Sequence, residues 1–119
     1  MVHTTCSRFH RAVELIGGRW SGPILQAVLA GRHRYADIRA AVPGLSDTML
    51  AQRLRALEAE GVLQRRVIPS SPVRVEYHPT EKGTALLPVL GAVARWAEVW
   101  IEPETVPVAD ERFAKELAQ

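Results

Sequence analysis

One amphipathic stretch near the middle of the chain constrains the fold more than any other. Ser46 can cap the start of a helix, and Gly61 is of the type that commonly follows a helix C-terminus. Between them, Leu50, Leu54 and Leu57 recur at helical spacing, which predicts a helix with one buried face. Such a helix is stable only when other elements cover its leucines, so the surrounding chain decides what it can do.

The outward face of this predicted helix carries side chains of the types that contact DNA. Amide, guanidinium and hydroxyl groups hydrogen-bond base edges and phosphates in a major groove. The alternative is a plain solvated face, with its arginines paired to Glu58 or Glu60. The candidate DNA-binding residues of this helix are Ser46, Thr48, Met49, Gln52, Arg53 and Arg55.

The segment in front of this helix predicts a helix-turn-helix. Residues 35–41 are expected to form a short helix, which Pro43 and Gly44 end. A short helix, a tight turn and a longer amphipathic helix are typical of this motif. Two further helices are predicted before it, over residues 7–16 and 20–29.

After Gly61 the hydrophobic period changes from helical to alternating, which predicts a β-hairpin. Strands are expected over residues 62–68 and 73–78, joined by a turn rich in proline and serine. In the second strand, valines and a tyrosine alternate with the polar Arg74, Glu76 and His78, which predicts a solvent-facing polar side. A hairpin directly after such a helix is the wing of a winged helix.

Arginines of the hairpin and of the connector before the third helix are candidate phosphate or minor-groove contacts. For Arg74, pairing with the nearby Glu76 is the alternative. The candidates outside the amphipathic helix are Arg32, Arg34, Arg65 and Arg74, with Arg66 beside them.

Residues 80–100 predict a long helix that is more apolar than a small domain can bury. Its Leu, Val and Trp positions exceed a single stripe, so the excess is expected to face another subunit. Gly83 and Pro88 lie inside it and predict a local bend. A last short helix is expected over residues 108–117.

Charge is unevenly distributed along the chain. Residues 1–101 hold 13 Lys and Arg against 8 Asp and Glu, giving +5, whereas residues 102–119 hold 2 against 5, giving −3. The charge separates a basic body, residues 1–101, from an acidic C-terminal tail, residues 102–119. Together with the helix and hairpin patterns, we expect residues 1–101 to form one DNA-binding domain whose surplus apolar helix contacts another subunit. A basic body rich in arginine favours partners that carry phosphate.

The 119 residues fit one domain, and no apolar run is long enough to predict a transmembrane helix. A single cysteine excludes an internal disulfide and fits a reducing cytoplasm. No phosphate-binding loop, nucleophile elbow or metalloprotease motif occurs, so neither an enzyme nor a cofactor is expected.

Residues 6–100 resemble the HxlR family of bacterial winged-helix transcription regulators, relatives of the MarR-type regulators. The matching segments are Cys6, Ile16-Gly17-Gly18-Arg19-Trp20, residues 29–35, Leu45-Ser46-Asp47-Thr48-Met49-Leu50, residues 52–58, Val73-Arg74-Val75-Glu76-Tyr77, Thr80-Glu81-Lys82-Gly83 and Trp96. The resemblance implies a homodimer built from the first and the long late helix. It also implies recognition helices in major grooves of double-stranded DNA, wings by the flanking phosphates, and regulation of a nearby gene.

Cys6 is a candidate redox-sensing residue. It is predicted at the start of the first helix with Arg8 and Arg11 nearby, and both features lower the pKa of a thiol. Some HxlR-family repressors resemble the chain here and sense electrophiles or disulfide stress through such a cysteine. The alternative is an ordinary cysteine near the terminus, packed at the dimer interface. A metal site of His3, Cys6 and His10 is not expected, because these residues lack the paired spacing of a structural zinc site.

The fold class expected is therefore mainly α with a small β-hairpin wing: a winged helix-turn-helix that is dimeric through its terminal helices. The function expected is sequence-specific repression of a pseudo-palindromic operator, with electrophile sensing through Cys6. Two alternatives remain open. One is a regulator with a small-molecule pocket near the dimer interface and no thiol sensing, and the other is a protein-interaction module that does not bind DNA.

Overall fold

A computed structural model describes the backbone of residues 2–103 and the side chains of residues 7–103. The chain divides into two units, residues 1–87 and 88–119. Within the described range, no helix has both the length and the apolarity needed to cross a bilayer. The elements are α1 (Val2–Gly17), α2 (Ser21–Leu29), α3 (Tyr35–Ala41), α4 (Asp47–Ala59), β1 (Leu63–Ile68), β2 (Arg74–Pro79), α5 (Glu81–Thr84) and α6 (Leu87–Trp100).

The core of the first unit forms between α2, α3, α4 and the start of the hairpin. The predicted leucine stripe of α4 is confirmed, because Leu50, Leu54 and Leu57 are all buried. Each fully buried aliphatic side chain contributes roughly 1.5–3 kcal/mol relative to an exposed one. The other large side chains that are fully buried are Ile24, Leu25, Val28, Ile38, Val62 and Leu63.

The caps predicted for α4 are both present. The Ser46 hydroxyl accepts a hydrogen bond from the Met49 N–H at 3.2 Å, which satisfies one of the free amides of the first turn. At the other end Gly61 has a φ of 79°, in the left-handed region that favours glycine. The turn before α4 uses the same property, since Gly44 has a φ of 90°. The helix-turn-helix prediction is confirmed, with α3 at its predicted bounds.

The two strands pair antiparallel, from Leu63 opposite Pro79 to Ile68 opposite Arg74, so the predicted hairpin is confirmed. The prediction that the polar residues of β2 all face solvent is wrong for Glu76 and His78, which are half-buried. The connector before α3 runs beside β2 and covers them. The Tyr77 N–H donates to the His33 carbonyl at 2.7 Å, and the backbones of Arg34 and Glu76 form an antiparallel β-bridge.

The predicted helix over residues 80–100 is two helices, not one. The Thr80 hydroxyl caps α5 by accepting from the Gly83 N–H at 3.1 Å, and the chain then turns before α6 begins. Pro88 is the second residue of α6, where a missing N–H costs little. The bend therefore lies near its predicted position but interrupts the helix completely.

Two helices expose apolar side chains. On α1, Phe9 and Val13 are exposed, while Leu15 and Ile16 are half-buried. On α6, no residue is buried. The exposed large apolar residues at and just after α6 are Leu87, Val89, Val93, Trp96, Val99, Trp100 and Ile101. The last helix expected, over residues 108–117, lies outside the described residues.

Candidate nucleic-acid interface

The outward face of α4 is open to solvent. Ser46, Thr48, Gln52 and Arg55 are exposed, and Met49 and Arg53 are half-buried at the flank. Of the ion pairs found among residues 7–103, none involves either arginine of α4. Glu60 pairs instead with Arg11 of α1 at 3.3 Å, so it does not neutralise this face as the alternative expected. The guanidinium groups of Arg53 and Arg55 are thus available to contact DNA.

The wing and the start of α3 enclose a basic groove. This groove has a volume of about 460 Å³. It brings together Arg34, Arg65 and Arg74, three of the predicted phosphate contacts. Its other lining residues are Tyr35, Ala36, Pro72, Val73, Val75 and Tyr77. A groove with three cationic side chains matches the negative charge of a nucleic-acid backbone.

The remaining basic candidates lie outside the groove. Arg32 is exposed on the connector, and the Nε–H of Arg66 donates to the Gln64 side chain at 3.1 Å. The alternative considered for Arg74 is partly present, because its guanidinium lies 3.9 Å from a Glu76 carboxylate oxygen. At that distance the Arg74 side chain stays 42% exposed, so it is still accessible to a phosphate.

A clamp of three side chains joins α3 to the first residue of α4. The Tyr35 hydroxyl donates to the Asp47 carbonyl at 3.2 Å and approaches the Asp47 carboxylate at 3.4 Å. Arg39 forms an ion pair with the same carboxylate, its Nε lying 3.1 Å from Oδ1. Burial, and then the charge of Asp47, raises the pKa of the Tyr35 phenol. Sequence reasoning assigned no role to Arg39 or Asp47 beyond the favourable position of an acid at a helix start.

A histidine cluster ties the wing to the connector, and sequence reasoning missed it. The rings of His33 and His78 stack with centroids 4.1 Å apart. His33 Nδ1 donates to the Tyr77 carbonyl at 3.1 Å, and His78 Nε2 donates to the Glu76 carboxylate at 2.8 Å. The hydrogen bond from His78 lowers the pKa of Glu76. The spacing of Glu76 and His78 was visible in the sequence, whereas nothing there linked them to His33.

The predicted location of Cys6 at a helix start is wrong. α1 begins at Val2, so the backbone of Cys6 lies beyond the first four residues, whose N–H groups have no intrahelical partner. The Cys6 side chain lies outside the described part of the structure.

The model of the HxlR-like helix-turn-helix family matches residues 15–105. The chain belongs to this family. Among its relatives, the transcriptional regulator YvaP of Bacillus subtilis is 48% identical over 82% of this chain and 91% of its own length. YodB, an HTH-type transcriptional regulator of the same organism, is 38% identical over 94% of this chain and its full length.

Solved structures agree with the family assignment. The diamide-treated form of YodB is 40% identical, with a TM-score of 0.69 over 82% of this chain and 97% of its own. The oxidised form of the redox regulator HypR is 31% identical, with a TM-score of 0.74 over 81% of this chain and 99% of its own. This HxlR-family chain is thus a transcriptional regulator of the helix-turn-helix type with a winged-helix fold, the fold and protein class that the sequence predicted.

Proposed function

We propose that this HxlR-family protein represses transcription by binding a pseudo-palindromic operator as a homodimer. In this proposal α4 enters the major groove, where Thr48, Met49 and Gln52 contact base edges. Arg53 and Arg55 contact bases or phosphates beside them. The observation that carries the proposal is the open polar face of α4, with both arginines unpaired among the described side chains.

The wing groove supplies the contacts to the DNA backbone in this proposal. Arg34, Arg65 and Arg74 line one groove and come from both sides of it, namely the connector and the two strands. Phosphate contacts of this kind fix the register of a protein on the duplex without reading sequence. Arg32, exposed on the same connector, extends the positive surface.

The exposed apolar face of α6 supports the dimer. Val89, Val93, Trp96 and Trp100 repeat at helical spacing along this face and are all exposed in the single chain. Exposed apolar patches of this kind mark protein interfaces. The exposed Phe9 of α1 is a second apolar surface of the type that a subunit contact covers. In the dimer, two recognition helices would lie about 34–36 Å apart, one turn of DNA.

The decisive test is binding to DNA from upstream of the protein's own gene, measured by fluorescence anisotropy at several salt concentrations. The expected result is a tight complex whose affinity falls steeply with salt, because arginines displace counterions from phosphates. An unrelated duplex of equal length is the control and should bind much more weakly. If the two duplexes bind equally at every salt concentration, sequence-specific repression is ruled out. Unchanged affinity after replacing Arg53, Arg55 and Arg74 would instead favour a protein-interaction module.

We also propose that Cys6 senses oxidants or electrophiles. The support is the family relationship to YodB, known in a diamide-treated form, and to the redox regulator HypR. Because the chain has a single cysteine, a disulfide must join two subunits or one subunit and a small thiol. In either case two thiols lose two electrons and two protons, which the azo bond of diamide accepts. An electrophile such as a quinone would add to the thiolate instead.

The comparison of wild type with Cys6→Ser, with and without diamide or a quinone, tests this sensing. The expected result is release of wild-type protein from DNA by the reagent and continued binding by the variant. Equal release of both proteins would exclude Cys6 as the sensor. It would then favour the alternative regulator, which responds to a small molecule without thiol chemistry.

A further inference from the structure

Asp47 places a negative charge at the end of α4 that would approach DNA. It is the first residue of the helix, directly before Thr48 and Met49, and its side chain is 60% exposed. The first turn of a recognition helix contacts base edges and passes close to phosphates. A free carboxylate there would repel the DNA backbone, since like charges a few ångströms apart oppose each other even in water.

Two side chains of α3 contact this carboxylate. Arg39, in the last turn of α3, forms an ion pair with Asp47, its Nε lying 3.1 Å from Oδ1. Tyr35, at the first turn of the same helix, donates to the Asp47 carbonyl and approaches the same Oδ1. Both ends of α3 therefore converge on one residue of α4. An acid that only stabilised its own helix dipole would not need two partners from the preceding helix.

We propose that Arg39 is a positioning residue for DNA binding, which neutralises Asp47 and holds it against α3 rather than contacting DNA itself. This inference rests on the proposed DNA recognition by α4. Arg39 allows the recognition helix to keep an acid in its favourable first-turn position while presenting no net negative charge to the DNA. Tyr35 fixes the carbonyl side of the same residue, so that the carboxylate stays within reach of Arg39.

The test is a rescue experiment on operator affinity. Arg39→Gln leaves the Asp47 charge unpaired and is expected to weaken operator binding about five- to tenfold. Adding Asp47→Asn to that variant removes the charge and is expected to restore affinity to within about twofold of wild type. Asp47→Asn alone should bind at least as tightly as wild type, with unchanged base preference. Thermal unfolding of each variant establishes that the fold is intact.

A matched control separates this local effect from the overall charge. Asp37 lies on the exposed side of α3, and none of the described ion pairs involves it. The double variant Arg39→Gln with Asp37→Asn has the same net charge as the double variant Arg39→Gln with Asp47→Asn. If Asp47→Asn restores operator affinity and Asp37→Asn does not, the proposal is supported. Equal rescue by Asp37→Asn would show a general field effect and overturn it.

Two other outcomes would also overturn the inference. If Arg39 contacts a phosphate directly, Asp47→Asn will not rescue Arg39→Gln, and the salt slope will fall by about one. If Asp47 accepts a hydrogen bond from a cytosine amine, Asp47→Asn alone will change the base preference at one position. Failure of wild type to bind upstream DNA would contradict the proposed function instead, so the two failures are distinguishable.

Discussion

The Tyr77 N–H donates to the His33 carbonyl at 2.7 Å, and the His33 ring donates back to the Tyr77 carbonyl at 3.1 Å. This reciprocal pair joins residues 44 positions apart in the sequence. It makes the connector before α3 a partner of the second wing strand. The wing is therefore attached to the helix-turn-helix at its base, close to the arginines of the groove.

The position of Gly83 against Val62, the residue before β1, allows a sharp stability prediction. A Cβ atom at Gly83 would collide with the Val62 carbonyl oxygen, which is backbone and cannot rotate away. We expect Gly83→Ala to lower the free energy of unfolding by about 1–3 kcal/mol, as overpacking typically does. Urea denaturation provides the measurement. Gly17→Ala is the control, because a Cβ there meets nothing within 4 Å and the change should be nearly neutral.

The Glu76 carboxylate predicts a pH dependence of stability. The hydrogen bond from His78, helped by the charge of Arg74, lowers the pKa of Glu76 below its ordinary value of 4.5. Glu76 binds its proton at a higher pH in the unfolded chain than in the folded chain. The charged carboxylate therefore contributes fully to the free energy of unfolding above pH 4.5. This contribution is lost as pH falls through the lower, folded pKa.

We therefore expect Glu76→Gln to reduce the loss of stability between pH 5 and pH 3, measured by denaturation at each pH. The control is Glu58→Gln, because Glu58 is exposed on α4 and takes part in none of the ion pairs found within residues 7–103. An identical acid slope for wild type and Glu76→Gln would contradict the role of the His78 hydrogen bond.

Residues that contact phosphates and residues that contact bases should differ in how their substitution changes the salt dependence of DNA affinity. Replacing Arg65 or Arg74 with Gln should weaken binding to all duplexes alike and reduce the salt slope by about one each. Gln52→Ala should instead cost about 1–3 kcal/mol on the preferred operator and relax the preference at one base pair. Anisotropy titrations on a set of single-substituted operators distinguish the two classes. A base-specific loss for Arg74→Gln would assign the wing to direct readout.

The cap of α4 should contribute to stability independently of DNA. Ser46→Ala removes the acceptor of the Met49 N–H and is expected to cost about 1 kcal/mol in the free energy of unfolding. Ser46→Asp should retain most of that stability because a carboxylate also caps. DNA affinity measured on both variants then tests whether Ser46 also contacts a phosphate. A loss of affinity in Ser46→Ala beyond the effect of unfolding would support such a contact.

The apolar face of α6 should control assembly. Trp96→Glu places a charge in the middle of this face, and its side chain is exposed in the single chain, so the monomer should tolerate the change. We expect a shift from dimer to monomer in analytical ultracentrifugation and a large loss of affinity for a two-half-site operator. Arg95→Gln changes a neighbouring exposed residue and should leave the dimer intact. A Trp96→Glu protein that remains dimeric would place the interface elsewhere.

The sequence by itself determined the order of elements and their core faces. Leucine spacing, the Ser46 and Gly61 caps and the change of hydrophobic period are local signals, so they predicted α4 and the hairpin to within a residue or two. The same locality explains the correct α3 bounds. It also explains two errors. The first turns of α1 carry no strong apolar pattern, and Gly83 and Pro88 indicated a bend before α6 but not whether it would break the helix.

Only the tertiary structure decided which polar side chains meet. The burial of Glu76 and His78, the histidine stack and the pairing of Arg39 with Asp47 all join segments that are distant along the chain or separated by a turn. Polar contacts depend on distances of a few ångströms between separate elements, which periodicity does not encode. The hydrophobic pattern therefore predicted the helices and strands that carry the interface, and the packing of those elements determined which of its charged side chains pair.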